Sequence, residues 1–164
     1  MNQTAFRYVL LLGMVLIAGC TPDTVGLGRM TVDAFGNTYR DISDAHFEYL
    51  REENLEVINV QVVEPEKITF ALNFIGQGKG SIGVGTYSSD TTGIAGQRAC
   101  EAVMVYDQLN SYQSFAGTAT ITEFDTIRSE FSGDFEIEMY NLDDPSQHIT
   151  VSGRIRDVIL LSFE

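Results

Sequence analysis

Apolar and polar side chains alternate with a period of two through much of the chain after residue 30. In the segment 68–74, Ile68, Phe70, Leu72 and Phe74 fall on one side, as in a strand that buries one face. Segments 131–139 and 149–156 repeat this scheme, the first with acids and the second with arginines on the outer side. Segment 118–122 is rich in threonine and 99–106 is largely apolar, so both also favour strands.

Turn-forming residues separate these runs at intervals of roughly ten residues. They occur at 35–37, 52–54, 64–66, 77–80, 90–93 and 143–145. Segment 44–57 has some helical periodicity, but it alternates equally well and is predicted to be a strand. We therefore predict an all-β domain, an antiparallel meander that forms a β-sandwich or flattened barrel.

The first residues follow a different pattern, since Arg7 is followed by an apolar or near-apolar run over 8–18. Eleven residues rise only about 16 Å as a helix, about half of a ~30 Å hydrocarbon core. This length is typical of the hydrophobic part of a signal peptide.

The run ends in Leu16-Ile17-Ala18-Gly19-Cys20, which resembles the lipobox of bacterial lipoproteins. The resemblance implies cleavage before Cys20 and acylation of Cys20 with diacylglycerol and an amide-linked chain such as palmitate. Two or three acyl chains give stable membrane anchoring. Thr21 follows Cys20, which favours the outer membrane and a periplasmic or surface-facing domain in the cell envelope. The alternatives are an ordinary signal peptide or an uncleaved anchor.

These features divide the chain into three parts. Residues 1–19 are the expected lipoprotein signal peptide, and residues 20–29 are the lipidated cysteine with a tether that contains two glycines and a proline. Residues 30–164 are the expected single β-domain.

The later strands resemble a domain of unknown function found in Bacteroidota-type lipoproteins. The resemblance lies in Gly117-Thr118-Ala119-Thr120-Ile121-Thr122, Ser132-Gly133-Asp134-Phe135 and Val151-Ser152-Gly153-Arg154, with an opening hairpin over 33–40. Arg154 and Arg156 in the last strand and the 88–101 segment depart from that pattern. The family implies a cell-envelope β-domain and supplies no catalytic residues.

The chain of 164 residues carries a formal charge of -13, which argues against binding to a nucleic-acid backbone. The acids concentrate in two blocks, 41–66 and 123–144. If the blocks share a surface, they form a negative face that attracts cations or basic partners. The alternative is that they are solvated outer faces and loops.

Cys100 would be the only free thiol once Cys20 is lipidated. Its apolar neighbours favour a small buried hydrophobe. A catalytic thiol would require a histidine or a helix N-terminus beside it, and nothing in the sequence ties His46 or His148 to it.

Gly78-Lys79-Gly80-Ser81-Ile82-Gly83 matches the G-x-G-x-x-G pattern of dinucleotide-binding sites. That motif needs a helix next, whereas 84–89 is strand-like, so we predict a glycine-rich turn that allows close backbone approach.

Other candidate chemistry is weaker. The loop 141–147 offers oxygen ligands for calcium but lacks EF-hand spacing, and the two histidines do not form a zinc pattern, so no metal site is assigned. Glu136 and Glu138 share a strand face, as a glycoside-hydrolase pair could, but such pairs are usually surface residues.

We therefore expect a lipid-anchored, non-enzymatic binding or structural module without a cofactor, whose protein or small-molecule partner is unassigned. The first alternative is a small-ligand carrier with a lipocalin-like barrel. A hydrolase that uses an acidic pair is a weaker alternative.

Overall fold

The computed structural model describes residues 28–42, 44–50, 54–89, 98–125 and 127–162. The signal peptide, Cys20, the tether up to residue 27 and the predicted turn at 90–93 lie outside these residues. Nowhere in the described residues is there a helix long and apolar enough to cross a bilayer.

The described residues form ten strands, so the predicted all-β class is confirmed. The strands are β1 (Arg29–Ala34), β2 (Asn37–Ile42), β3 (Asp44–Leu50), β4 (Leu55–Glu64), β5 (Ile68–Gln77), β6 (Gly85–Ser88), β7 (Ala99–Tyr106), β8 (Asn110–Asp125), β9 (Glu130–Asn141) and β10 (His148–Ser162).

All ten strands belong to one sheet with the order β2-β1-β10-β3-β4-β5-β7-β6-β8-β9. Further pairings of β10 with β9 and of β7 with β8 fold the sheet back on itself. The arrangement agrees with the predicted sandwich or flattened barrel.

The meander is mostly but not wholly antiparallel. Strand β3 pairs in parallel with the end of β10, and β6 pairs in parallel with β7 through the single pair Ser88 and Ala99. The first exception arises because β10 is long: Ser152–Arg156 pairs with β1, and Ile159–Ser162 extends beyond it to reach β3.

The core lies between β5 and β9, which face each other across the fold. The rings of Phe70 and Phe135 stack with their centroids 5.2 Å apart, and Phe74 meets Phe131 edge to face at 6.0 Å. The alternation predicted for these strands is therefore correct, and aromatic pairs of this kind add to the stabilisation that burial provides.

The interior between the two layers is filled with side chains. Its largest fully buried members are Tyr87, Phe70, Phe74, Phe131, Met30, Ile58, Leu72, Met104, Ile121, Ile137, Met139 and Ile155. Such close packing provides the hydrophobic stabilisation of the fold.

Candidate functional site

The glycine-rich segment closes one end of the fold by wrapping around a buried carboxylate. Glu56 lies on the inward face of β4 and is 4% exposed. It accepts hydrogen bonds from the backbone N–H groups of Gly80, Ser81 at 2.8 Å and Ile82 at 3.1 Å. Successive N–H groups of this kind form an anion-binding nest. The G-x-G-x-x-G segment therefore binds the protein's own carboxylate, and a strand, β6, follows it as predicted.

The same end is secured by Tyr87. Its hydroxyl donates to the carbonyl of Gly83 at 2.9 Å and accepts the N–H of Gly83 at 3.0 Å, and burial raises the pKa of the phenol. The guanidinium of Arg98 donates to the carbonyl of Val84 at 2.6 Å and lies 5.4 Å from the centre of the Tyr87 ring. These contacts fix the loop after the nest.

Aromatic side chains close the opposite end. Phe35, in the turn between β1 and β2, lies 4.2 Å from Tyr106 and 5.6 Å from Tyr112, measured between ring centroids. Burial raises the pKa of the neighbouring Tyr39, and contact with Tyr106 raises it further. Both ends of the filled interior are thus covered by side chains or loops of the protein itself.

Concavities on the surface of the described residues include two that are open to solvent. The larger, of about 480 Å³, is lined by Glu123, Asp125, Arg128, Glu130, Asp157 and hydrophobic neighbours, and the smaller, of about 320 Å³, surrounds the 33–38 turn. The carboxylate of Asp125 accepts the N–H groups of Arg128 and Ile127, which lower its pKa. A carboxylate held in its charged form in this way does not act as a general acid.

Cys100 is buried and free, as the sequence predicted. Its thiol donates to the carbonyl of Tyr87 at 3.4 Å, and burial raises its pKa to about 12. A reactive cysteine requires the opposite shift, so the environment of Cys100 suits a packing residue.

The remaining candidates from the sequence are placed as follows. Glu136 and Glu138 are exposed on β9 and pair across the sheet with Ser152 and Thr150, so they lie on a solvated wall. Within the described residues, no group of three or more His, Cys, Asp or Glu side chains could hold a metal ion.

The histidines and the 141–147 loop have other contacts. The ring of His148 packs 4.9 Å from Phe115, and its Nε2 lies 2.9 Å from the carbonyl of Pro145. In the loop, Asn141 Oδ1 accepts the N–H groups of Asp143 and Asp144. The side chain of Asp144 in turn binds Ser146, which lowers the pKa of this carboxyl. These oxygens stabilise the turn.

The least expected surface is the outer side of β4, β5 and β7, which we call the β4–β5–β7 face. Its outward side chains are Leu55, Val57, Asn59, Gln61, Val63, Thr69, Ala71, Asn73, Ile75, Gln77, Ala99, Glu101, Val103 and Val105. Glu101 is the one charged residue in this set, and most of the side chains are half-buried rather than exposed.

The outer side of β9 and β10 has the opposite character. Asp134, Glu136 and Glu138 are exposed on β9, and Arg154 and Arg156 are exposed on β10. We call this surface the charged wall. The contrast matters because a large apolar surface marks an interaction site more specifically than scattered apolar residues do.

A polar row crosses the β4–β5–β7 face at one level. Asn59 pairs with Asn73, which in turn pairs with Glu101, and His46 of β3 pairs with Asn59 on the other side. The Nδ2 of Asn59 donates to Oδ1 of Asn73 at 2.6 Å. Burial raises the pKa of the Glu101 carboxyl, which is the expected effect of apolar neighbours.

The rows on either side of the polar row are mostly apolar. Val57, Ile75 and Ala99 are aligned on one side of it, and Gln61, Ala71 and Val103 are aligned on the other. A surface of this kind provides apolar area for affinity and a short row of hydrogen-bonding groups that fixes the register of whatever binds. The sequence contains a signal for it, because 55–63 has apolar residues on both sides of the strand: Leu55, Val57 and Val63 on one, Ile58, Val60 and Val62 on the other.

The chain was compared with protein-family models, with curated proteins and with solved structures, and none of them matches it.

Proposed function

We propose that this protein is a lipid-anchored protein of the cell envelope that acts as a non-enzymatic binding or structural module through its β4–β5–β7 face. The observation that carries the binding role is the contrast between that face, with Glu101 as its one charge, and the charged wall on the other side of the fold.

The filled interior favours a binding surface over the lipocalin-like carrier. A small-molecule site is usually a cavity of about 300–1,000 Å³ that encloses most of its ligand. In the described residues the space between the layers is occupied by aromatic and aliphatic side chains, and the two concavities described above are open at the surface.

The pKa shifts of the polar side chains favour a non-enzymatic binding or structural module over a hydrolase. The pKa of the Cys100 thiol is raised, and the pKa of Asp125 in the larger concavity is lowered. The raised pKa of Glu101 occurs beside Asn73, which is not a carboxylate partner. None of these arrangements resembles the pair of unequal carboxyl groups that acid–base catalysis uses.

The proposed anchor is inferred from the sequence of residues 7–20, in which Cys20 is the residue that would be acylated. The Cys20→Ala variant is expected to lose incorporation of a labelled fatty acid and to leave the membrane fraction. Cys100→Ala is the matched control, since its thiol is buried and it should remain labelled and membrane-bound. A Cys20→Ala protein that stays in the membrane would contradict the proposed anchor.

A further inference from the structure

We propose that the β4–β5–β7 face binds the same face of a second copy of this chain. The two copies are related by a two-fold axis that runs parallel to β5 and passes over Asn73. This inference rests on the proposed function and deepens it by naming the partner.

No element of the described structure is available to cover the face. Every described strand belongs to the single sheet, and the strands next to β5 in that sheet are β4 and β7. An apolar sheet face is normally buried against another layer of secondary structure. A second sheet face that carries the same apolar rows is a suitable layer.

The area of the face is sufficient for a weak dimer. Two strands of ten residues and one of eight, spaced ~4.8 Å apart at ~3.3 Å per residue, cover about 14 Å by 31 Å. The two copies together would bury roughly 900 Å² of projected surface, somewhat below the ~1,000 Å² that a stable specific interface requires. Copies confined to one membrane would meet at a higher effective concentration than copies in solution.

The polar row selects the direction of the two-fold axis. An axis parallel to β5 places β4 of one copy over β7 of the other, because the rotation exchanges the two sides of the face. Asn59 of one copy then lies over Glu101 of the other, and the two Asn73 side chains meet at the axis. The Glu101 carboxylate of each copy then gains the Asn59 amide of the other as a hydrogen-bond donor, and a buried charged group needs such a donor.

The perpendicular face-to-face axis is unfavourable. An axis parallel to the polar row would place Glu101 over the same residue of the second copy. Two carboxylates in a desolvated interface repel each other, unlike the amide and carboxylate pairs of the first arrangement.

The test uses the full chain in its own membrane and a short bis-maleimide cross-linker. Asn73→Cys is expected to give cross-linked dimer, whereas Glu136→Cys, on the charged wall, should give less than a tenth of that yield. The unsubstituted chain sets the background, since the thiol of Cys100 is buried. Equal yields at the two positions, or no dimer at Asn73→Cys, would overturn the proposal.

The axis has its own test. Coexpressed Asn59→Cys and Glu101→Cys chains should cross-link to each other at least five-fold more than either variant does alone. If each variant cross-links best to itself, the axis parallel to β5 is wrong.

A charge placed on the face tests its role directly. In the Asn73→Cys background, Val103→Asp should reduce the cross-linked dimer at least ten-fold, whereas Thr150→Asp, at an exposed position of β10, should leave it unchanged. Cys100 that remains unreactive shows that the Val103→Asp protein is folded. A folded Val103→Asp protein with undiminished dimer would contradict the interface, and neither outcome alters the Cys20→Ala test of the anchor.

Discussion

The hydrogen bonds to Glu56 make a specific prediction about stability. Glu56→Ala removes an acceptor that binds the N–H groups of Gly80, Ser81 and Ile82. Glu56→Gln keeps one oxygen, but its amide group replaces the second oxygen and directs hydrogens at a backbone donor. Both substitutions should therefore weaken the glycine-rich end, and alanine should weaken it more.

The expected magnitude follows from the exposure of the three donors. A hydrogen bond to a charged group contributes about 1.5–3 kcal/mol, and a buried donor left without a partner costs about 1–3 kcal/mol. Gly80 is exposed and Ser81 half-buried, so their N–H groups can bind water, whereas Ile82 is buried. Removing the carboxylate also removes the penalty of burying its charge. We expect losses of about 3 kcal/mol for Glu56→Ala and ~1–2 kcal/mol for Glu56→Gln, from a total that is typically ~5–15 kcal/mol.

Urea unfolding measures these losses. The chain has seven tyrosines and no tryptophan, so circular dichroism and tyrosine fluorescence are suitable probes. Amide hydrogen exchange at residues 80–82 should accelerate in Glu56→Ala. The control is Glu136→Ala, whose exposed carboxylate should change stability by less than about 0.5 kcal/mol. If Glu56→Ala is no less stable than Glu136→Ala, or if exchange at 80–82 is unchanged, the carboxylate does not hold the loop.

Three further predictions concern individual residues. Burial raises the pKa of Glu101 above its ordinary 4.5, so the folded state binds this proton more tightly and loses stability as pH rises through the folded pKa. Glu101→Gln should therefore unfold at higher urea than the parent protein at pH 7, with a difference that disappears below pH 4.5; a constant difference would contradict the assignment. Gly117→Ala should destabilise by about 2–4 kcal/mol, because φ is +103° and the new Cβ would lie 2.4 Å from the carbonyl oxygen of Glu136. Gly36→Ala, at φ +74° with nothing within 4 Å, should cost only ~1–2 kcal/mol, and equal losses in urea would refute the steric argument. Cys100 should react with iodoacetamide at pH 8 only on unfolding, since its thiol pKa is about 12; reaction of the native protein at the unfolded rate would be inconsistent with its burial.

The strands and their buried faces could be predicted because they depend on local alternation. Phe70 and Phe74 of β5 face Phe135 and Phe131 of β9, as the pattern of each segment indicated. Several predicted strands are shorter than the observed ones, whereas 99–106 coincides with β7. Segment 118–122, for example, is the middle of β8, because β9 continues to pair with β8 beyond it in both directions.

The pairing partners could not be predicted from local patterns. Strand β10 pairs with β1, β3 and β9, and its register shifts between Ile155 and Val158. Such contacts join segments far apart in sequence, and alternation identifies the buried face of a strand but not its neighbours.

Glu56 is buried, which the acidic composition of its segment does not indicate. The sequence places it in the acidic block 41–66, yet it is on the same side of β4 as Ile58 and Val60, which are fully buried. Its position in the alternation was a signal for burial. The donors that stabilise it come from the glycine-rich segment some 25 residues later, and only the folded chain brings the two together.

The positions of the acids determine how strongly the net charge opposes self-association. Two chains of -13 would repel each other if the charge were spread evenly. The exposed acids of β9, however, lie behind the core, because β9 packs against the inner side of β5. With layers ~10 Å apart, the β9 strands of two copies that meet through the β4–β5–β7 face are separated by three layer spacings, about 30 Å. The Debye length is ~10 Å at 0.1 M salt, about a third of this distance. At 0.01 M salt the Debye length is ~30 Å and equals it. The repulsion is therefore screened at physiological salt, and the strongly acidic composition is compatible with self-association through a face that carries almost none of the charge.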